Sequence, residues 1–547
     1  MNNDRKIIIC VILVICSYLV YKSFFGSKNN KNNIYIENIG SDVKTLNPHY
    51  NSDGTSLRVS NDIFEGLLSY NQKGELRCDG CVNYEVSEDK KTYIFHLREN
   101  AKWANGDSVT AEDYVYSLRR AVDPITTATD YLSCLYDIKN AKSIIDGSLN
   151  KEELGVFADD KYTLRIELEN PNFEFLHYIT IPIFLPIHKP TIEKYGLSSF
   201  SKPEAIMSNG PYKIQSWVPN NNMILVKNEN YWDKDNVKIE KVKFLMITEG
   251  SVDLNTFRTG NEHMTYYNIP NREKSEYIKE FGDKYKFFNI LCQYKVAFNL
   301  NNPKYSDIRV RKAFNLAMDR DRLCYNVIKS AVPSYSVIHE NIYNNEFEKD
   351  VKNLEEYSWI SLPKEEKDNL ARKLLMEVGY TKENPLKVEL LLRSDELHKN
   401  IGSAIQDIYN KAFEGLVKVE LIFNDLTTFL DAVSKNQFDM AILRWIADYN
   451  LPSNFSMLFV SDTSNNFWRY SNYVVDTLFY DSLSCSQGEY IEKQHELVKT
   501  AALDYPIVPF ALFARQKLVS DKIEGFDCEK NILDRYSTKD LKFKDKK

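Results

Sequence analysis

AKWANGDSVTAEDYVYSLRRAVDP (residues 101–124) reads as a tight turn followed by a capped amphipathic helix. Asn105-Gly106 supplies the turn, because both residue types tolerate the left-handed backbone. Thr110-Ala111-Glu112-Asp113 resembles a capping box, in which two side chains satisfy backbone N–H groups that the first helical turn leaves unpaired. Tyr114, Val115, Leu118, Ala121 and Val122 then share one stripe at helical spacing, and Asp123-Pro124 ends the helix. On either side the period changes to two: Lys91 to Leu97 (KTYIFHL) and Tyr162 to Leu168 alternate as strands.

Further out the same grammar recurs. Ile34-Tyr35-Ile36 begins the ordered part, Asn209-Gly210-Pro211 is a turn, and Met223 to Lys227 and Lys241 to Ile247 are strands. From Asp307, DIRVRKAFNLAMDRDRL predicts an amphipathic helix burying Val310, Ala313, Phe314, Ala317 and Met318. Ala371 to Val378 is another helix, stopped by Gly379. Lys387 to Leu392 and Lys418 to Phe423 are strands around a helix at about 398–413, and Val508 to Leu518 is a late strand. Strands alternating with helices predict an α/β fold. No period of 20–50 residues recurs, which excludes a solenoid or propeller.

The 547 residues carry 70 Lys+Arg against 77 Asp+Glu, a net charge of −7, with 43% hydrophobic and 13% aromatic residues. That is a globular composition, long enough for three or four units of roughly 100–200 residues each. Lysines are spread along the whole chain without a basic block, so no nucleic-acid partner is expected.

The amino terminus has the marks of export. Arg5 and Lys6 precede fourteen almost wholly apolar residues, Ile7 to Val20, followed by Tyr21, Lys22 and Phe24-Phe25. As a helix the run to Phe25 covers ~28 Å, close to a hydrocarbon core of about 30 Å. Cleavage wants small residues where the chain has Tyr21 or Phe24, and lipidation wants one where Ile15 precedes Cys16. The expectation is an uncleaved anchor over 1–26, with a lipidated Cys16 as the alternative, and a polar tether at 27–33 leading to a soluble part outside the cell. Beyond Cys10 and Cys16 there are seven cysteines, of which only Cys78 and Cys81 are close; they form a local disulfide or remain thiols.

Catalytic signatures are missing. There is no GxGxxG after a strand, no GxxxxGK[ST], no GxSxG and no HExxH, and the eight histidines contain no i,i+4 pair. No enzyme, no metal site and no cofactor are expected.

Six segments then carry a resemblance: LNPHYNSDGTSLRVSNDIFEGLLSYN (46–71), AKWANGDSVTAEDYVYSLRRAVDP (101–124), NGPY (209–212) with KNENYW (227–232), RVRKAFNLAMDR (309–320), ARKLLMEVGY (371–380) and RWIADYNLP (444–452). In that order and spacing the chain resembles, from about 38 to about 525, the oligopeptide-binding family of extracytoplasmic solute-binding proteins that serve ABC importers. The resemblance implies a two-lobed periplasmic-binding-protein-like α/β fold with a hinge and an extra inserted domain. Lobe I would combine 34–68 with 203–290 and 507–547, the inserted domain 69–202, and lobe II 291–506. It implies a monomer that captures oligopeptides and delivers them to the permease subunits in the membrane. A non-peptide solute (nickel complex or sugar), or peptide sensing without transport, is the alternative.

By the same resemblance Asp448 takes the ligand's α-ammonium, which offers three donors and needs a fixed opposite charge in a closed cleft. Trp445 is either a pocket wall or core. The segment around Asp53 and Gly54 occupies one edge along which an extended ligand is held, with the glycine either permitting close backbone approach or belonging to an ordinary loop. Family members place an arginine for ligand carboxylates where this chain has Ile442. Arg444, two residues on and on the same strand face, is the candidate substitute.

Overall fold

The long strands Tyr285–Phe298 and Ile507–Leu518 pair antiparallel along almost their whole length, from Tyr285 opposite Leu518 to Ala297 opposite Ile507. The computed structural model describes residues 34–545 apart from 52, 127–130, 173, 267–268, 271, 341, 343–345 and 462. The expected anchor, tether and Cys16 therefore lie outside the described residues. Among those described, no helix is long and apolar enough to cross a membrane.

One end of the strand pair belongs to a six-stranded sheet ordered Ala331–Pro333, Ile507–Leu518, Tyr285–Phe298, Met440–Ile446, Leu386–Arg393, Val417–Asn424. The parallel pair Leu386–Arg393 and Val417–Asn424 is joined through the helix Glu396–Phe413, which buries Ile401, Ile405, Ile408 and Phe413. Lys364–Val378 is the helix stopped at Gly379, whose φ of 107° only glycine adopts without strain. At the other end the pair meets a four-stranded sheet ordered Ile34–Asn38, Lys241–Leu245, Asn222–Lys227, Tyr212–Val218. Met264 makes that junction, bridging Glu37 on one side and Val519 on the other. The register of the long pair shifts between Asn289 and Gln293. Such a bulge bends a ribbon where it must leave one sheet for another. Residue 507 itself lies inside the six-stranded sheet, because Ile507–Leu512 pair with Gln293–Ala297.

A third, antiparallel sheet orders Cys81–Val86, Thr92–Leu97, Thr163–Glu167, Val156–Asp160 and carries the helix Ala111–Val122. The Asp113 carboxylate accepts the Thr110 N–H at 2.8 Å, as the capping pattern predicts. All seven described cysteines are free thiols, so the local disulfide is not formed. The Cys81 thiol is instead fully buried and donates to the Leu67 carbonyl at 3.3 Å.

The helix read through from Asp307 breaks. Ile308–Ala317 is helical, Met318 is extended, and a π-helical segment resumes at Arg322–Ile328. Arg320 is the reason. Its buried guanidinium collects the carbonyls of Asn315 (3.1 Å), Ser334 (2.9 Å) and Pro509 (2.9 Å), and leaving those unsatisfied would cost more than continuing the helix gains.

The third sheet's unit contacts the six-stranded one through Glu174, which is fully buried and accepts from Ser453 Oγ at 2.6 Å and Tyr178 Oη at 3.0 Å. Burial raises its pKa to about 7 despite those bonds. The folded state thus keeps the proton where the unfolded chain, with a pKa of ~4.3, has released it. This carboxyl costs stability increasingly as pH rises from ~4.3 to about 7. Glu174→Gln is therefore expected to melt higher than the parent at pH 8, with the advantage shrinking to nothing or reversing at pH 4, in thermal denaturation followed by circular dichroism.

Candidate functional site

Between the sheets lies a cavity of about 650 Å³ to which all three units contribute. The six-stranded sheet supplies Ile442 to Asp448, together with Phe429, Leu430 and Val433 from the helix Leu426–Ser434. From the first unit come Gly54, Leu57 and Arg58 of the helix Gly54–Ile63 and the run Leu533–Tyr536; the third gives Tyr131.

Met440–Ile446 is hydrogen-bonded to Tyr285–Phe298 on one side along its full length, but on the other side it meets Leu386–Arg393 only at Met440 and Ala441. From Ile442 onward that second edge has no strand partner among the described residues, and it faces the cavity. An unpaired edge presents N–H and C=O groups in a row, to which an extended chain can add as one more strand.

Asp448 sits just past this strand. Its Oδ1 accepts from Tyr131 Oη at 2.8 Å and lies 3.4 Å from Arg535 Nη2, so one carboxylate joins side chains from all three units. Burial and the nearby Asp448 push the Tyr131 hydroxyl well above its ordinary pKa, so it remains a donor. Trp445 lines the cavity, and its Nε1 donates to Asn454 Oδ1 at 2.8 Å; the Asp448 N–H reaches the same oxygen at 3.4 Å. Asn454 thereby fixes both residues. Arg444 also lines the cavity, paired across the strands with the buried Tyr294 and on the same face as Ile442.

Asp53 and Gly54 are placed differently from each other. Asp53 caps the helix Gly54–Ile63, accepting from Ser56 N at 3.0 Å and Ser56 Oγ at 2.6 Å. Gly54 lines the cavity, and a Cβ there would meet nothing within 4 Å, so the space above its backbone is open. Behind it Arg58 is clamped by Glu37 (2.8 Å) and Asp62 (3.1 Å) and stacked on Tyr536, which makes this wall rigid.

Tyr131, Arg535 and Lys295 were not legible as site residues. The first two stand in aperiodic segments that only the fold brings to Asp448. Lys295 did leave a signal, a lone charge inside the apolar strand run LCQYKVAF. No cluster of His, Cys, Asp or Glu able to hold a metal occurs among the described residues.

A strand pair shared by two sheets, a cavity between those sheets and an unpaired edge inside it define a two-lobed solute-binding protein. Residues 81–467 match the family model described as bacterial extracellular solute-binding proteins, family 5, middle part, and the chain belongs to that family. It is 34% identical over 515 residues to the periplasmic oligopeptide-binding protein OppA of Salmonella typhimurium, covering 92% of each chain. The crystal structure of Haemophilus influenzae OppA in complex with RPPGFSPFR superposes with a TM-score of 0.83 at 30% identity, over 94% of this chain and 99% of that one. The murein tripeptide-binding protein MppA of Escherichia coli, 27% identical, superposes over 94% of this chain and 99% of its own at 0.83. Its unliganded open form, at the same identity and over 94% and 98%, superposes at only 0.74. The Tyr131–Asp448–Arg535 contact accords with a closed arrangement.

Tyr131→Phe removes one hydrogen bond to a charged acceptor, a contribution of ~1.5–3 kcal/mol. The variant is expected to stay folded and spend more time open, read as a larger radius of gyration in small-angle X-ray scattering of the unliganded protein.

Proposed function

We propose that this protein is the substrate-binding component of an ABC importer, which captures oligopeptides outside the cell and hands them to the permease. The observation that carries the reading is the fixed carboxylate of Asp448 at the end of an unpaired strand edge, inside a cleft that three units close. The edge grips backbone whatever the side chains, and the carboxylate anchors the amino terminus. Trp445 walls the adjoining pocket, Gly54 leaves room for the ligand backbone on the opposite wall, and Arg444 is the candidate contact for a ligand carboxylate. A neutral sugar would make no use of the Asp448 charge, whereas a peptide ammonium would.

The proposed division is lobe I at 34–68, 203–290 and 507–547, an inserted domain at 69–202 and lobe II at 291–506, with the two long strands shared across the hinge. The protein acts as a monomer, held at the membrane by residues 1–26 or by a lipid on Cys16, and needs no cofactor. Intact-mass analysis of the membrane-extracted native protein separates the two: the anchor reading requires the full amino-terminal segment, and a mass starting at a diacylated Cys16 would overturn it.

Calorimetry tests the site. A peptide with a free amino terminus should bind and its N-acetylated twin should not. Asp448→Asn should weaken the former by ~3–5 kcal/mol, a factor of roughly 10²–10³ or more in Kd, because the ammonium is left desolvated and unpaired. Equal affinity of the twins would remove the amino-terminal assignment.

A further inference from the structure

Most cations lining the cavity have a carboxylate of their own. Arg58 pairs with Glu37 at 2.8 Å, Arg393 with Asp395 at 3.1 Å, Arg515 with Asp534 at 2.9 Å, Lys517 with the same Asp534 at 3.6 Å, and Arg535 with Asp448 at 3.4 Å. Lys295 differs. It is 1% exposed, lines the cavity, and makes no hydrogen bond or ion pair among the described residues. Its ammonium lies 5.5 Å from the Trp468 ring and 6.0 Å from the Phe455 ring. The titratable groups beside it are the buried thiol of Cys292 and His339, which burial pushes down to about 3 and so keeps neutral. A lysine buried without a counter-ion is costly, and burial lowers this one to about 7. Among the described residues only the two aromatic rings offset that cost, and only in part.

Resting on the peptide-binding reading, we propose that Lys295 receives a carboxylate of the ligand, so that the protein favours peptides bearing an acidic group at one position. The register says which face is meant. Lys295 pairs with Leu443, and Leu443 and Trp445 point to its side of the sheet, whereas Ile442 and Arg444 point to the other. A ligand added to the open edge sends alternate side chains to these two faces, and those on the Lys295 face enter the space bounded by Leu458 and Trp468. Leu443 stands five residues before Asp448, or ~16 Å in extended chain, which sets the acidic residue at about the third to fifth from the amino terminus.

The test uses alanine pentapeptides with free amino termini and amidated carboxyl ends, with Glu or Gln at positions three, four and five in turn, in calorimetry at pH 6. The parent should prefer Glu over Gln at one of these positions by about tenfold or more. Lys295→Met, and equally Lys295→Gln, should bind both alike, with thermal denaturation followed by circular dichroism showing that the variants are folded. If the carboxylate is the ligand's own terminus, shortening to three to five alanines and comparing free acid with amide should show the same Lys295-dependent preference. Equal binding of Glu and Gln and of acid and amide by the parent, or a preference that survives Lys295→Met, would overturn the assignment while peptide binding itself stands. Absence of binding by every peptide would defeat the peptide reading and this one together.

Discussion

The pairing of Tyr285–Phe298 with Ile507–Leu518 is the constraint on which the rest of the molecule depends. Two adjacent strands, cross-linked by backbone hydrogen bonds and buried for most of their length, carry the chain from one sheet to the other. A single covalent crossing would leave the lobes free to tumble. A bonded ribbon instead ties them together, with irregular register between Asn289 and Gln293 and again between Tyr294 and Lys295. The fold built on it brings residues as far apart in sequence as Tyr131, Asp448 and Arg535 together.

The electrostatics of the cleft suit exchange rather than permanent locking. Asp448 and Arg535 keep 18% and 17% of their side-chain surface exposed, and their contact is long, at 3.4 Å. On the proposed reading a ligand ammonium replaces Arg535 at the carboxylate, and Tyr131 remains as a donor to the same oxygen. The wall behind is built the opposite way. Arg58, Glu37 and Asp62 are nearly inaccessible and mutually satisfied, with Asp62 also accepting from Thr538 N at 2.7 Å and Ser537 Oγ at 2.9 Å. One charged cluster is buried in the wall; the other is partly exposed at the cavity.

Periodicity made most regular elements legible. The helix at 111–122 and the strands at 92–97 and 222–227 follow from patterns of 3.6 and two that burial in the fold then uses. Asp448, Trp445 and Arg444 were found through the RWIADYN motif, and all three face the cavity. What stayed hidden was set by single polar side chains acting at a distance. Arg320 ends a helix whose apolar stripe continues, because carbonyls from residues 334 and 509 reach it only in the folded chain. Arg535 lies in NILDRYSTKD, which has no period at all. The Cys78–Cys81 spacing was compatible with a bond, but the turn of the chain there aims Cys81 into the core, at Leu67.

Selection along an open strand edge has to come from elsewhere than the edge, since backbone pairing is indifferent to side chains. A fixed guanidinium would be a severe filter, because a ligand lacking the matching acid would leave a full charge buried and unpaired. Lysine is a milder one. With its pKa lowered to about 7, Lys295 sheds its proton near neutrality almost without cost, so a neutral ligand meets a neutral amine instead of a stranded cation. An acidic ligand recovers the proton and the ion pair together. On the proposed reading the same residue ranks ligands without excluding any.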